Sequence, residues 1–218
     1  MKRLVAPSML SADFLHLEDD VNFVNKNADM FHLDIMDGVF VPNISYGFPV
    51  VEAIAKKATK PLDIHLMIVE PQRYIERFVK VAPSMISFHL EAARDCSYDP
   101  VKILSTVQKF GVHAGIAIDP DVPVEDLFPY LSKADFVLIM SVFAGFGGQK
   151  FKEETYERVS KVKAEILRQG VDCKIEVDGG VSPANADKLG KCGADILVAG
   201  SSVFNAVDRE KSIELIRG

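Results

Sequence analysis

Eight short apolar runs rich in β-branched residues recur along the 218-residue chain, and a stretch with helical spacing follows each of them. Strict alternation of this kind is typical of parallel strands joined by helical crossovers. The predicted strands are residues 4–9, 30–35, 62–68, 85–90, 113–118, 136–140, 174–177 and 196–199. The predicted helices are residues 15–27, 49–58, 72–81, 101–110, 153–168, 184–192 and 211–216, with a short one near 124–131.

The number of units predicts a closed barrel rather than an open sheet. A doubly wound open sheet usually has fewer strands and places its phosphate-binding glycines after the first of them. Here the first predicted strand runs into Pro7, Ser8 and Met9, and no linker or low-complexity tract divides the chain. We therefore predict an α/β protein, a (β/α)8 TIM barrel formed by a single domain over residues 1–218.

Composition argues against several classes of function. The chain is 48% hydrophobic with a formal net charge of −6, and it has no basic run of the kind that binds nucleic acid. Its apolar runs are much shorter than the roughly 20 residues that cross a bilayer, and Pro7 interrupts the start, unlike a signal peptide. The widely spaced Cys96, Cys173 and Cys192 are typical of reduced thiols. We expect a cytoplasmic protein that binds neither nucleic acid nor membranes.

Polar side chains lie at the carboxyl ends of three predicted strands. Because side chains alternate along a strand, inward-facing sets are predicted to contain His32 with Asp34, Asp63 with His65, and Glu176 with Asp178. Inward polar residues at these strand ends are where barrels place their chemistry. The ligand types of His32, Asp34, His65 and Asp178 suit one divalent metal ion, either Zn2+, Fe2+, Mn2+ or Co2+.

Other inward residues allow more than one role. Asp63 and Glu176 are expected one layer deeper, where a carboxylate can orient a ligand imidazole. His89 and Glu91 have the same inward parity, and the spacing leaves both a metal-binding and a structural hydrogen-bonding role open. Three methionines near strand ends are candidates for an apolar wall of the active site, with core filling as the alternative. They are Met36, Met67 and Met140.

Glycine-rich segments follow the last three predicted strands and indicate a phosphate site. Glycine allows backbone amides to approach an anion, and barrels commonly build such a site after the seventh and eighth strands. The pattern matches neither the dinucleotide fingerprint nor a P-loop. The candidate substrate-binding residues in these segments are Gly145, Phe146, Gly147, Gly148, Asp178, Gly179, Gly180, Gly200 and Ser201.

A phosphate anchor beside a metal and two carboxylates suits a phosphorylated substrate whose reacting carbon lies next to a carbonyl. A metal near the carbonyl oxygen would stabilise an enediolate. Asp34 and Asp178 come from well-separated strands, so one can remove a proton and the other return it on the opposite face. We predict that they are the catalytic acid/base pair.

A series of short motifs follows in a specific order: residues 7–14 (PSMLSADF), 32–38 (HLDIMDG), 40–43 (FVPN), 63–67 (DIHLM), 140–142 (MSV), 145–149 (GFGGQ), 176–180 (EVDGG) and 199–202 (AGSS). This combination closely resembles the ribulose-phosphate 3-epimerase family over nearly the whole chain. The resemblance implies interconversion of D-ribulose 5-phosphate and D-xylulose 5-phosphate in the pentose phosphate pathway. It implies the same metal ligands and acid/base pair, adds Ser8 and His65 to the substrate contacts, and implies a homo-oligomer.

The chain departs from the family pattern at Phe143-Ala144, where the family usually has Asn-Pro. Because proline restricts a loop, we expect its loss to loosen the cover of the active site and to alter turnover or specificity. An alternative substrate is a six-carbon ketose phosphate such as D-allulose 6-phosphate. Related barrel decarboxylases use Asp-x-Lys-x-x-Asp, whereas residues 34–39 here read DIMDGV, which argues against decarboxylation. A non-catalytic sugar-phosphate-binding barrel is disfavoured by the complete ligand set.

Overall fold

Eight parallel strands form one sheet in the computed structural model, which describes residues 2–218. The strands are β1 (Leu4–Pro7), β2 (Phe31–Met36), β3 (Leu62–Met67), β4 (Met85–His89), β5 (His113–Ile118), β6 (Phe136–Met140), β7 (Lys174–Asp178) and β8 (Ile196–Ala199). From β2 to β8 each strand pairs with the next one along the chain, β8 pairs with β1, and an isolated parallel bridge between Ser8, just after β1, and His32 on β2 completes the ring. The sheet therefore closes on itself, and the predicted (β/α)8 fold is confirmed.

Helices connect the strands and cover the outside of the barrel. The α-helices are α1 (Leu17–Asn27), α2 (Phe48–Lys57), α3 (Ile75–Val79), α4 (Leu90–Asp95), α5 (Pro100–Gln108), α6 (Thr155–Gln169), α7 (Ala186–Cys192), α8 (Ser201–Phe204) and α9 (Arg209–Arg217). Among residues 2–218, none of the helices combines the length and apolarity that a bilayer crossing needs.

Two connections differ from the sequence prediction. The helix expected at 72–81 is divided into a 3-10 helix, Pro71–Arg73, and the short α3. The segment expected near 124–131 is a 3-10 helix, Val124–Tyr130, with Pro129 inside it. Proline lacks the amide hydrogen that a continuing α-helix would use, which explains the tighter and shorter turn. The short helix α4 was not predicted, because six residues carry too little periodicity to be recognised.

The two faces of the strands have different neighbours, as the alternation predicts. Outward residues such as Leu33, Ile64 and Val177 belong to the large apolar core between the sheet and the helices. A separate apolar layer fills the amino-terminal end of the barrel interior, and its members are Ala6, Met30, Met85, Phe136, Ile196 and Val198. With that end filled by apolar side chains, the inward polar residues are concentrated toward the carboxyl-terminal end.

A glycine on β5 makes room for the largest side chain of this layer. A Cβ atom added at Gly115 would lie 2.3 Å from Cζ of Phe136. Since real Cβ contacts are never that short, the ring occupies the space that any other residue at 115 would need. The close approach of Gly115 and Phe136 closes the floor of the barrel beneath the polar residues.

Candidate active site

The four predicted metal ligands come together at the carboxyl end of the barrel. Asp34 on β2 pairs in register with His65 on β3, and the Oδ1 atom of Asp34 lies 3.2 Å from Nδ1 of His65 and 3.3 Å from Nε2 of His32. Asp178, at the end of β7, completes a group in which one ligand atom from each residue lies within 4.8 Å of the others. This buried cluster has the composition and spacing to bind a divalent metal ion.

The environment of His32 fits the role of a metal ligand. Its Nδ1 atom lies 2.5 Å from Oδ2 of Asp63 and 3.7 Å from Oε1 of Glu176, which sit one layer deeper as predicted. Its Nε2 atom is buried and has no hydrogen-bond partner. With Nδ1 protonated and facing Asp63, loss of the proton from Nε2 would give a lone pair on the side of Asp34, where a cation would be bound.

His65 is oriented by a second histidine. Its Nδ1 atom faces Asp34, while its Nε2 atom lies 2.9 Å from Nε2 of His89. His89 is therefore not part of the four-residue cluster, and it belongs to a separate group with Glu91 and Asp119. The question that the sequence left open for His89 is decided by this placement: its contact with the cluster is a hydrogen bond to His65.

The two predicted catalytic carboxyl groups have opposite pKa shifts. Burial, together with the neighbouring Asp34 carboxylate, raises the pKa of Asp178 to about 7. Burial opposes ionisation of Asp34 as well, but His32 and His65 outweigh it and hold the pKa of Asp34 well below its ordinary value. At neutral pH, Asp34 is thus the ionised partner and Asp178 the one poised to gain or lose a proton.

Asp34 is also held on its other side. The Ser8 hydroxyl donates a hydrogen bond of 2.6 Å to Oδ2 of Asp34, and the backbone amide of Asp34 donates to the Tyr46 hydroxyl at 3.1 Å. Sequence reasoning reached Ser8 only through the family resemblance, and it missed Tyr46. A buried tyrosine in the segment after β2 carries no pattern that distinguishes it from a core residue.

Nearly all the remaining candidate site residues line one cavity. Its lining includes Ser8, Asp34, Met36, Met67, Met140, Gly145, Phe146, Gly147, Gly148, Asp178, Gly179, Gly180, Gly200 and Ser201. His32 and His65 do not line it and lie fully buried behind Asp34, so the predicted substrate contact of His65 stays a prediction. The three methionines line this cavity, and their role as an active-site wall stays a prediction. No lysine or arginine is found among the described residues of the lining, so an anion there would be held by backbone amides and hydroxyl groups.

Tight backbone packing explains the glycine after β7. Gly179 has φ of +111°, and a Cβ atom there would lie 2.5 Å from Cγ2 of Val142. Only glycine adopts this conformation without strain. The Ser141 hydroxyl donates to the carbonyl of Gly179, which ties the end of β6 to the turn after β7.

The loop after β6, residues 143–149, is held by contacts that sequence reasoning did not predict. The Ala144 amide donates to Oδ1 of Asp119 at 3.0 Å, and Nδ2 of Asn43 donates to the Gly145 carbonyl at 2.8 Å. Nε2 of Gln149 donates to the carbonyls of Phe143 and Phe146 at 2.7 and 2.9 Å. Such contacts depend on distant segments meeting in space, so only Gln149 and Asn43, which lie within the quoted motifs, had a sequence signal.

Comparison with known proteins agrees with this arrangement. The model of the ribulose-phosphate 3 epimerase family matches residues 4–204. The chain is 43% identical to a ribulose-phosphate 3-epimerase of Bacillus subtilis, over 98% of both chains, and 41% identical to one of Synechocystis sp., over 98% of this chain and 93% of the relative. Among solved structures, 3-hexulose-6-phosphate synthase is similar in fold, with a TM-score of 0.66 at 17% identity, covering 100% of this chain and 98% of that one.

Proposed function

The chain belongs to the ribulose-phosphate 3-epimerase family and is an epimerase, and from that premise we propose that it interconverts D-ribulose 5-phosphate and D-xylulose 5-phosphate in the pentose phosphate pathway. The observation that carries the proposal is that the carboxyl groups of buried Asp34 and half-buried Asp178, from separate strands, line one cavity and have pKa values shifted in opposite directions. Inversion at a carbon beside a carbonyl needs one group to remove the proton and another to supply one.

We propose that Asp34 and Asp178 act from opposite faces of C3. In one direction the carboxylate of Asp34 removes the C3 proton, and protonated Asp178 then gives a proton to the opposite face of C3. In the reverse direction the roles exchange. The intermediate is the enediolate of the substrate. The Ser8 hydrogen bond to Oδ2 of Asp34 supports this role, because it fixes the direction in which the carboxylate faces the cavity.

The proposed cofactor is one divalent metal ion per subunit, Zn2+, Fe2+, Mn2+ or Co2+, held by His32, Asp34, His65 and Asp178. The unpartnered Nε2 atom of His32 and the concentration of buried carboxyl groups around it support this assignment. When bound, the ion supplies positive charge that stabilises the negative charge developing on the substrate oxygens.

We propose that the glycine segments after β6, β7 and β8 bind the phosphate group and that the methionines exclude water from the reacting carbons. Met36, Met67 and Met140 are almost completely buried while still lining the cavity, which supports a dry wall beside the intermediate. We further propose that the protein is a cytoplasmic homo-oligomer and that its ligand is this small sugar phosphate.

Entry of solvent deuterium at C3 tests the acid/base pair. In D2O with metal present, we expect Asp34→Asn and Asp178→Asn each to lower epimerisation roughly 100-fold or more, because each removes one of two proton-transfer groups. Each variant can at most exchange the C3 proton with solvent deuterium in the one epimer whose C3 proton faces the remaining carboxylate. The control Asp172→Asn changes an exposed carboxylate outside the site and should behave like the wild type.

Two outcomes would contradict the proposal. If metal-loaded Asp178→Asn epimerises at the wild-type rate, the proposed pair is wrong. If the wild type turns over D-allulose 6-phosphate with a much higher kcat/KM than D-ribulose 5-phosphate, the substrate is wrong while the pair stands.

A further inference from the structure

A buried histidine and a carboxylate lie directly behind His65 and have no place in the proton transfer proposed above. We propose that His89 and Glu91 form a positioning relay, which holds His65 in the one tautomer that can bind a divalent metal and thereby raises the affinity of the site for that metal. This inference rests on the proposed metal site, because the relay acts through His65.

The geometry of the two imidazole rings is that of a directed hydrogen bond. The Nε2 atoms of His65 and His89 are 2.9 Å apart, the ring planes differ by 19°, and the ring centroids are 5.0 Å apart. The rings therefore meet edge to edge in nearly one plane rather than face to face. Phe40 packs on His89 with a centroid separation of 4.9 Å, and both histidines are fully buried, so the ring of His89 has little freedom to turn.

Counting protons along this line fixes the tautomers. Nδ1 of His65 needs a free lone pair to bind a metal, so in the neutral ring the proton must be on Nε2. That proton is donated to Nε2 of His89, which must then carry its own proton on Nδ1. The structure leaves this Nδ1 atom buried and without a hydrogen-bond partner, facing Oε1 of Glu91 at 3.7 Å.

Glu91 supplies the negative charge at the end of the line. The 3.7 Å separation is longer than a hydrogen bond, so the carboxylate acts on the Nδ1 proton of His89 through its charge in a buried environment. The backbone amide of Asp119 donates to Oε1 of Glu91 at 2.8 Å, which anchors the carboxylate. Its Oε2 atom is buried without a partner, so no hydrogen bond to that oxygen neutralises the carboxylate.

The spacing of the same cluster also fits a second cation site, since His89, Glu91 and Asp119 offer ligand atoms within 4.8 Å of one another. Proton counting argues against that reading. A cation on Nδ1 of His89 would require a proton on its Nε2 atom, and a cation on Nδ1 of His65 requires one on the facing Nε2 atom. Two protons cannot occupy the 2.9 Å contact, so the cluster serves His65.

The test is Glu91→Gln, which keeps the shape of the side chain and a carbonyl oxygen for the Asp119 amide but removes the negative charge. We expect the Kd for Zn2+ alone, measured by competition with a chelator, to rise roughly tenfold or more, as is typical when the partner of a ligand histidine is lost. Urea unfolding of the metal-free variant checks that it is folded. Replacement of His89 is less suitable, because it leaves Nε2 of His65 buried without an acceptor.

Asp119→Asn is the matched control, because it removes a carboxylate from the same cluster. The side chain of Asp119 accepts a hydrogen bond from the Ala144 amide and is not part of the relay. We expect its Kd for Zn2+ to change less than threefold. An effect as large as that of Glu91→Gln would mean that the net charge of the cluster, and not the contact between Glu91 and His89, sets the affinity, and would overturn the relay. The 15N spectrum of the Zn2+-loaded wild type should show His65 protonated at Nε2 and His89 at Nδ1, and the reverse assignment would also overturn it.

The outcomes separate this inference from the proposed function. If the wild type binds Zn2+ through His32, Asp34, His65 and Asp178 but Glu91→Gln binds it equally well, the relay is wrong and the metal site stands. If the wild type binds no Zn2+ at all, the metal-dependent function and the relay fail together.

Discussion

At the scale of single residues, chemically identical side chains acquire different properties from their neighbours. Asp34 lies beside two imidazoles and a hydroxyl donor, whereas Asp178 lies half-buried at the end of β7, near the Asp34 carboxylate. Histidine neighbours favour the charged form of Asp34, while burial and a like charge favour the neutral form of Asp178. Two aspartates with separated pKa values are what an exchange of acid and base roles requires.

The raised pKa of Asp178 predicts a pH-dependent effect on stability in the metal-free protein. An aspartate has a pKa of about 4 in an unfolded chain, and burial raises that of Asp178 to about 7 in the folded one. Its favourable contribution is therefore complete below about pH 4 and is lost as pH rises through about 7. The free energy of unfolding of wild type minus that of Asp178→Asn should fall by a few kcal/mol at most over this range.

Chemical denaturation of chelator-treated protein at several pH values measures this difference. Asp172→Asn, which removes an exposed carboxylate outside the site, is the control. A difference between wild type and Asp178→Asn that rises with pH would show that the pKa of Asp178 is lowered instead.

At the scale of elements, the loop after β6 is fixed by hydrogen bonds rather than by a proline. The expectation that Phe143-Ala144 loosens this cover stays a prediction. The Ala144 amide, which a proline would lack, donates to Asp119. The side chains of Asn43 and Gln149 donate to three carbonyls of the loop. Hydrogen bonds to two other segments, at Asn43 and Asp119, and within the loop from Gln149 limit the conformations of residues 143–149. These hydrogen bonds therefore restrict the loop without a proline.

Ala144→Pro tests the contribution of that amide. The change removes the donor to a half-buried Asp119 carboxylate, at a cost of about 1 kcal/mol, and we expect a roughly fivefold rise in KM for the sugar phosphate. Faster hydrogen exchange of the amides of residues 143–149 should accompany it. Ala144→Ser keeps the amide and is the control; if the proline variant exchanges more slowly than the serine variant, the hydrogen bond contributes less than the flexibility that proline removes.

At the scale of the whole molecule, the barrel separates stability from chemistry. Its amino-terminal end is filled by apolar side chains around Phe136, and its carboxyl-terminal end holds the polar cluster and the cavity. The buried carboxyl groups are costly to desolvate, and a well-packed floor offsets part of that cost. Changes in the floor should therefore alter stability while leaving the properties of the site unchanged.

Gly115→Ala tests this separation, because the added methyl group would lie 2.3 Å from the ring of Phe136. Overpacking of this kind costs about 1–3 kcal/mol, measured by urea unfolding. Phe136→Leu should restore part of the loss when combined with Gly115→Ala, although alone it leaves a cavity. The Kd for Zn2+ should stay within about twofold of the wild type in the double variant; a strictly additive loss of stability would mean that the two residues do not compete for the same space.

Much of the fold and part of the site were predictable from local sequence. The alternation of strands and helices, the inward parity of His32, Asp34, His65 and Asp178, and the glycines after β6, β7 and β8 depend on neighbouring residues and on a fixed strand period. The bounds of β5, β6 and β8 agree with the predicted ones. The helix expected near 124–131 was wrong in type because the prediction did not give Pro129 enough weight.

What only the tertiary structure decided is the partnership of groups from distant segments. The sequence by itself determined that two carboxylates and two histidines face inward at strand ends. It did not determine which carboxylate is protonated, that His89 bonds to His65, or that Asp119 holds Ala144. The physical reason is that strand parity is a local property of the backbone, whereas a pKa or a hydrogen bond depends on distances that exist only after the barrel has closed.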